Sequence, residues 1–301
     1  MGAMEIIGLS PLLARTSGDP AISIGLIDGP VYLDHPDLSG GRIQEVSPGG
    51  ASVCSRASSA ACVHGTLVAG VLMARRDSGT PGICPGCRLL IRPIFDEALG
   101  LKDQLPSATP ATLAAAIRDA VDAGARILNL SAAVAHPSSR GERQVEESLT
   151  YAARREVIVI AAAGNQGTLA SSAITRHAAV IPVVGCDDQG RPTQESNLGS
   201  SIGRRGLRAP GKSVTSLATD GGVRTFDGTS AAAPFVTGAI ALLWSEFPNA
   251  TAREIQAAVL LSARGPRNAI VPPLLDAWAA FHHLAGTHES VLCETGAAQA
   301  S

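Results

Sequence analysis

The sequence predicts an α/β domain of three layers, in which helices flank a mainly parallel central sheet. Short β-branched runs alternate along the chain with segments of helical length, which is typical of β-α-β units with right-handed crossovers. Hydrophobic residues make up 45% of the 301 residues and charged residues 17%, enough to build one large core. No linker or internal repeat divides the chain. We therefore expect one domain over residues 4–286 and a polar, loosely ordered tail over residues 287–301.

Strands are predicted where continuous apolar runs stop at a polar residue or a glycine. The first run ends in Asp28-Gly29, so that the carboxyl end of a buried parallel strand presents an acid. Functional groups of open α/β sheets collect at that edge. The predicted strands cover residues 22–27, 89–95, 126–130, 157–161 and 179–184, with a further extended piece near 214–217.

Helices are predicted from Ala-rich or amphipathic stretches with capping residues at their ends. Thr109 and Pro110 supply an N-cap and a first-turn proline, and Gly124 supplies a C-terminal glycine, for a helix between them. The predicted helices cover residues 111–123, 146–155, 231–244, 251–261 and 274–284.

Charge and hydropathy limit the classes of partner. The formal net charge is −2, which argues against a nucleic-acid partner. The apolar runs at 157–163 and 236–243 are far shorter than the roughly 20 residues that span a bilayer, so we expect a soluble protein without a membrane partner.

No export signal opens the sequence, which favours the cytoplasm; a secreted enzyme whose signal has been removed is the alternative. The oligomeric state is not indicated.

Four short motifs, far apart in sequence, each carry one polar group suited to acyl transfer. They are IGLIDGP around Asp28, HGTLVAG around His64, AAAGNQG around Asn165 and GTSAAAP around Ser230. A serine hydroxyl is a poor nucleophile and needs a base, here His64, whose tautomer an acid such as Asp28 can fix. Ser230 lies at the predicted start of a helix, and the Asn165 amide can donate to an oxyanion together with the Ser230 backbone N–H. The motifs therefore predict a serine peptidase.

Each motif taken alone has a simpler interpretation. Asp-Gly is usually a turn, a His before Gly is commonly a helix-start residue, and the loop around Asn165 needs no function. Ser230 could only cap its helix. Asp227 is an alternative acid, although its position before Gly228 favours a loop carboxylate over the strand-end role of Asp28. Four such coincidences in this order are improbable, which favours the catalytic interpretation.

From about residue 22 to 280 the chain resembles the subtilisin-like serine proteases, or subtilases, whose motifs follow the order Asp, His, Asn, Ser. The resemblance implies a subtilisin-like fold, a triad of Asp28, His64 and Ser230, and Asn165 as the oxyanion donor. It also implies two substrate-binding segments. One is a strand that pairs with the substrate backbone, and the other forms a wall of the S1 pocket. The strand is Ser131, Ala132 and Ala133, and the wall is Ala162, Ala163 and Gly164.

Within that family the chain is most similar to the PatA-type proteases of cyanobactin maturation, through its opening segment up to Leu38 and the run PGICPGCRLLIRPIF. This similarity implies an endopeptidase that removes the leader of a ribosomal precursor peptide. A secreted degradative subtilase and a catalytically silent peptide-binding module are the alternatives. Ala133 stands where relatives usually have glycine. Its methyl group is expected either to narrow S1 toward small P1 side chains or to perturb the strand that pairs with substrate.

No cofactor is required by this chemistry. The resemblance is compatible with a structural calcium ion held by backbone carbonyls, which a sequence does not reveal. Cys84 and Cys87 have CxxC spacing, which suits a redox pair, half of a zinc site or a small disulfide loop. A zinc site needs a second pair of ligands, for which Cys54 and Cys62 are the nearby candidates. We favour disulfides, then reduced thiols, over zinc.

Overall fold

The computed structural model describes residues 2–46, 54–95, 97, 108–131 and 139–298, and its centre is a seven-stranded parallel sheet. The strand order is β2-β3-β1-β4-β5-β6-β7, and a separate antiparallel hairpin joins β8 to β9. The strands are β1 Ser23–Asp28, β2 Arg42–Glu45, β3 Arg88–Pro93, β4 Ile127–Leu130, β5 Ile158–Ala162, β6 Val180–Cys186, β7 Leu207–Pro210, β8 Val214–Leu217 and β9 Val223–Phe226.

The order of the strands creates a crevice beside β1. This strand pairs with β3 on one side and with β4 on the other, and the chain leaves β1 and β4 in opposite directions. Such a switch point opens at the carboxyl ends of parallel strands. Asp28 at the end of β1 and Ser131 just after β4 therefore lie at the same edge of the sheet.

Helices cover both faces of the sheet, which makes three layers. One face packs against α3 and α8 and the other against α4 and α5. The helices are α1 Ala3–Ile6, α2 Ser10–Arg15, α3 Ala60–Met73, α4 Pro110–Asp122, α5 Ser139–Arg154, α6 Ala173–Arg176, α7 Ser200–Arg205, α8 Thr229–Glu246, α9 Ala252–Leu261 and α10 Ala277–Ala298, with a 3₁₀ turn at Pro36–Leu38. The predicted three-layer α/β fold with a parallel sheet is confirmed.

The alternation of side chains along β1 sets the direction of its last residue. Ile24 and Leu26 are buried in the core that contains α3 and α8, whereas Ile27 belongs to the core on the other face. Because strand side chains repeat every two residues, Asp28 points to the same side as Leu26. The acid at the end of β1 thus faces α3.

Several boundaries differ from those predicted. Helix α5 begins at Ser139 rather than at 146, and α10 continues to Ala298, past the predicted end at 284. Strands β2, β7 and β9 were not predicted. No helix in the part of the chain that the structure describes is both long and apolar enough to cross a bilayer.

Candidate active site

The Asp28 carboxylate is fully buried at the end of β1. Its Oδ1 accepts a hydrogen bond from the backbone N–H of Gly29 (2.6 Å) and another from Nδ1 of His64 (2.6 Å). A carboxylate held in this way fixes which ring nitrogen of the histidine carries the proton. Nδ1 of His64 is thus the donor, and Nε2 is free to accept.

His64 lies in the second turn of α3, which approaches the loop after β1 very closely. A Cβ at Gly29 would come within 1.9 Å of the Ala61 carbonyl oxygen, and a Cβ at Gly65 within 2.5 Å of the Gly29 carbonyl oxygen. Glycine at both positions is therefore required for the helix to bring the imidazole within hydrogen-bonding distance of Asp28.

Ser230 is the second residue of α8, and its Oγ lies 3.0 Å from Nε2 of His64. All three side chains are buried: Asp28 is 0% exposed, His64 8% and Ser230 5%. Backbone N–H groups in the first turn of a helix have no acceptor within the helix and lie at the positive end of its dipole. The structure thus brings acid, imidazole and hydroxyl into one hydrogen-bonded chain at a site that favours negative charge.

The pKa of His64 is set by two opposing effects. Burial lowers the pKa because it disfavours the charged imidazolium, while the Asp28 carboxylate raises it by its charge and its hydrogen bond. The raising effects prevail, so the pKa of His64 is above its ordinary value. An imidazole with a raised pKa is a better base for the Ser230 hydroxyl.

Asn165 lies in the loop after β5 and is anchored to the start of α8. Its Oδ1 accepts from the backbone N–H of Thr229 (2.8 Å) and from the Thr229 hydroxyl (2.9 Å). A Cβ at Gly228 would lie 2.8 Å from Nδ2 of Asn165, so this amide nitrogen borders the residues that lead to Ser230. Thr229 was not assigned a role from the sequence, because its partner is 64 residues away.

The candidate substrate-binding residues that the structure describes lie at one edge of the sheet, with Ser131 just after β4 and Ala162, Ala163 and Gly164 at and after the end of β5. Ser131 is buried just after β4, and Leu130 pairs with Ala161, so that Ser131 and Ala162 continue from neighbouring strands. Ala163 is buried, and Gly164 adopts a φ of +103°. Ala132 and Ala133 lie outside the described residues.

Asp227, the alternative acid, accepts a hydrogen bond from the backbone N–H of Ser213. This contact is of the kind expected for a loop carboxylate. In the structure it is Asp28, not Asp227, that contacts His64.

The favoured interpretation of the CxxC motif, a disulfide, differs from the pairing of the cysteines in the structure. Cys54 is disulfide-bonded to Cys62, two residues before His64, whereas Cys84 and Cys87 are buried thiols. Cys54, Cys62 and Glu97 are close enough together to be considered as metal ligands. A disulfide does not offer thiolates to a metal, and both Glu97 oxygens accept hydrogen bonds from residues 55–59. The cluster therefore gives no support for zinc.

Two solved structures of maturation proteases are similar to this chain over most of its length. The prenylagaramide maturation protease PagA is 31% identical with a TM-score of 0.80, covering 93% of this chain and 99% of that one. The patellamide maturation protease PatA is 30% identical with a TM-score of 0.73, covering 89% and 98%. The predicted similarity to PatA-type proteases is thus confirmed.

The sequence comparisons lead to the same family. A thermophilic serine proteinase from Bacillus sp. strain AK1 is 31% identical over 244 residues, covering 78% of this chain and 55% of that protein. The chain spans about half the length of the curated relatives it matches. The profile of the Subtilase family, Peptidase_S8, matches residues 19–285. The chain is therefore a member of the subtilase family of serine peptidases.

Proposed function

We propose that this chain is a serine endopeptidase that cleaves peptide bonds through an acyl-enzyme on Ser230. The observation that carries the proposal is the pair of contacts that His64 makes, 2.6 Å to Asp28 and 3.0 Å to Ser230. A base within this distance of a hydroxyl, and itself oriented by an acid, is the geometry that nucleophilic catalysis requires.

In the first half of the reaction, Nε2 of His64 accepts the Ser230 proton while Oγ attacks the peptide carbonyl carbon. The Asp28 carboxylate stabilises the imidazolium that forms. The carbonyl oxygen becomes an oxyanion, to which Nδ2 of Asn165 and the backbone N–H of Ser230 donate. His64 then gives its proton to the leaving amine, and the acyl group stays on Ser230.

In the second half, water replaces the amine. His64 accepts a proton from the water, whose oxygen attacks the acyl carbon, and the carboxylic acid leaves as Oγ of Ser230 recovers its proton. No cofactor takes part in these steps. A structural calcium ion stays a prediction from the family resemblance.

We propose that the substrate binds as an extended strand along Ser131, Ala132 and Ala133, with Ala162, Ala163 and Gly164 forming a wall of S1. The position of Ser131 and Ala162 at the ends of neighbouring parallel strands supports this role. Pairing of an extended peptide with a protein strand is a general mode of peptide recognition. The methyl group of Ala133 favours small P1 side chains.

The proposed substrate is a ribosomal precursor peptide, cut at one bond in the cytoplasm. Similarity to PagA and PatA over about 90% of the chain supports a maturation role. The Cys54–Cys62 disulfide favours a second candidate, a secreted degradative subtilase, because disulfides persist in oxidising compartments.

Labelling with a fluorophosphonate tests the enzymatic part of the proposal. The wild-type protein should be labelled once, and Ser230→Ala should not be labelled. Labelling that persists in Ser230→Ala would exclude this residue as the nucleophile, and an unlabelled, folded wild-type protein would favour a silent peptide-binding module.

Product analysis separates the two enzymatic candidates. Incubation with a ribosomal precursor peptide of the proposed class should give two fragments from a single cut, with casein left intact. Degradation of casein into many fragments would favour the secreted degradative enzyme instead.

A further inference from the structure

One buried side chain outside the four motifs, that of Asn197, organises the loop that carries Asn165. We propose that Asn197 is a positioning residue that holds Asn165 in the orientation needed to donate to the oxyanion. This inference rests on the proposed function, since it assigns a cause for the orientation of the proposed oxyanion donor.

Asn197 contacts the loop on both sides of residue 165. Its Oδ1 accepts from the backbone N–H groups of Gln166 (3.0 Å) and Thr168 (3.2 Å) and from the Thr168 hydroxyl (3.1 Å). Its Nδ2 donates to the Ala163 carbonyl (3.3 Å) and to Oε1 of Gln166 (2.6 Å). Its backbone N–H donates to the Gly164 carbonyl (2.8 Å). Six hydrogen bonds from one residue thus hold residues 163, 164, 166 and 168.

The partners of Asn197 do not include Asn165 itself, whose oxygen is bound by Thr229. Thr229 anchors the Asn165 amide, and its hydroxyl also accepts from the backbone N–H of Gly164 (3.1 Å). Asn197 anchors the loop at residues 163, 164, 166 and 168. With Oδ1 of Asn165 occupied, its Nδ2 is the group left to face the substrate. Asn197 thereby acts on the oxyanion only through Asn165.

The loop needs such an anchor because two of its residues are glycines with positive φ, Gly164 at +103° and Gly167 at +62°. Glycine gives the unanchored loop many alternative conformations. A Cβ at Gly164 would lie 2.4 Å from Nδ2 of Asn197, so the close packing of this amide excludes any larger residue there. Pre-organised donors contribute to catalysis because they need no reorganisation during the reaction.

A double-mutant cycle tests the inference, with the second-order rate constant for fluorophosphonate labelling as the readout. This reaction also places negative charge on an oxygen beside Asn165. Asn165→Ala should slow it by about 10²–10³-fold, and Asn197→Ala by roughly tenfold through misorientation of the donor. In the Asn165→Ala background, Asn197→Ala should add less than about twofold, because the group it positions is gone.

Two results would overturn the positioning role. One is an unchanged labelling rate in Asn197→Ala, and the other is a double variant whose rate is reduced by the product of the two single-variant reductions. The failure of the proposed function has a different signature, since the folded wild-type protein would then not be labelled. An unchanged rate in Asn165→Ala would overturn only the oxyanion-donor role of Asn165. Melting temperatures of all four proteins establish that each rate belongs to folded enzyme.

Two further variants complete the design. Asn197→Asp keeps the acceptor for Gln166 and Thr168 and loses the amide donor, so its rate should fall between those of wild type and Asn197→Ala; it replaces Asn197→Ala in the cycle if the latter does not fold. Asn268→Ala is the matched control, because Oδ1 of Asn268 accepts from the backbone N–H groups of Ile270 (2.9 Å) and Val271 (2.7 Å) in a loop outside the site. Its rate should equal that of wild type.

Discussion

Gly65 of α3 lies against Gly29 of the loop after β1, so closely that a Cβ at position 65 would come within 2.5 Å of the Gly29 carbonyl oxygen. This contact sets the distance between the helix that carries His64 and the strand that carries Asp28. Backbone atoms on both sides leave little room for a neighbour to yield. A methyl group at this position must therefore move α3.

Gly65→Ala should reduce fluorophosphonate labelling by at least about tenfold, because His64 moves away from Asp28 and Ser230. Overpacking of this kind should also lower the free energy of unfolding by about 1–3 kcal/mol. Gly79→Ala is the control, since a Cβ at Gly79 meets no atom within 4 Å. Equal labelling of Gly65→Ala and Gly79→Ala would show that the close approach is not needed for reaction.

The raised pKa of His64 predicts how the rate of fluorophosphonate labelling falls at low pH. His64 must be neutral to accept the Ser230 proton, so the labelling rate should rise with pH through a midpoint above the ordinary value of 6.5. Asp28→Asn removes the charge that raises this pKa and leaves burial, which lowers it, so the midpoint should move to lower pH. The maximal rate should also fall by about 10⁴-fold, because the wrong tautomer is favoured.

Rates of labelling between pH 5 and 9 for both proteins measure these effects. A midpoint that is the same in wild type and Asp28→Asn would mean that the Asp28 carboxylate does not control the protonation of His64. Glu254→Gln is a suitable control, since this carboxylate caps α9 at Thr251 and makes no contact with the three residues.

The sequence predicted those parts of the site whose signal is local. The acid after an apolar strand and the hydroxyl at a helix start follow from patterns of a few residues, and both lie where predicted, at the end of β1 and the start of α8. Thr251, where the sequence predicts that a helix begins, is the N-cap of α9. Local capping and periodicity are sufficient for such features because nearby residues alone determine them.

The features that sequence reasoning missed depend on contacts between distant segments. The bonds from Thr229 to Asn165 join residues 64 positions apart, and the approach of Gly65 to Gly29 joins helix α3 to the loop after β1. Strand β2, Arg42–Glu45, has alternating exposed and half-buried residues and no apolar run, because it lies at the edge of the sheet. Packing, not local propensity, makes it a strand.

A buried polar chain links α8 to the strand beside β1, and it predicts a stability effect. The Thr237 hydroxyl donates to Oδ1 of Asn129 (2.8 Å), whose Nδ2 donates to Oγ of Ser131 (2.8 Å). Thr237→Val keeps the shape but leaves the buried Asn129 oxygen without its donor, which should cost about 1–3 kcal/mol of unfolding free energy.

Urea unfolding of Thr237→Val in the Ser230→Ala background, chosen so that the proposed peptidase activity cannot act on unfolded chains, measures this cost. Thr215→Val is the matched control: Thr215 is exposed on the β8–β9 hairpin, and its replacement should change the free energy by less than about 0.5 kcal/mol. A cost no larger than that of Thr215→Val would mean that the Asn129 oxygen finds another partner.

The Cys54–Cys62 disulfide predicts a redox-dependent stability. The bond closes a loop with a sequence separation of 8, and the chain-entropy relation gives about 2–3 kcal/mol for a loop of this length. Replacing both cysteines by serine should lower the free energy of unfolding by this amount, and dithiothreitol should lower it equally in the otherwise unchanged protein. In the double serine variant dithiothreitol should have no effect through the other cysteines whose side chains the structure describes, because Cys84, Cys87 and Cys186 are already thiols. Alkylation of the unfolded protein with iodoacetamide, followed by mass measurement, should modify two more cysteines after reduction than before; an equal number would mean that this pair is not oxidised.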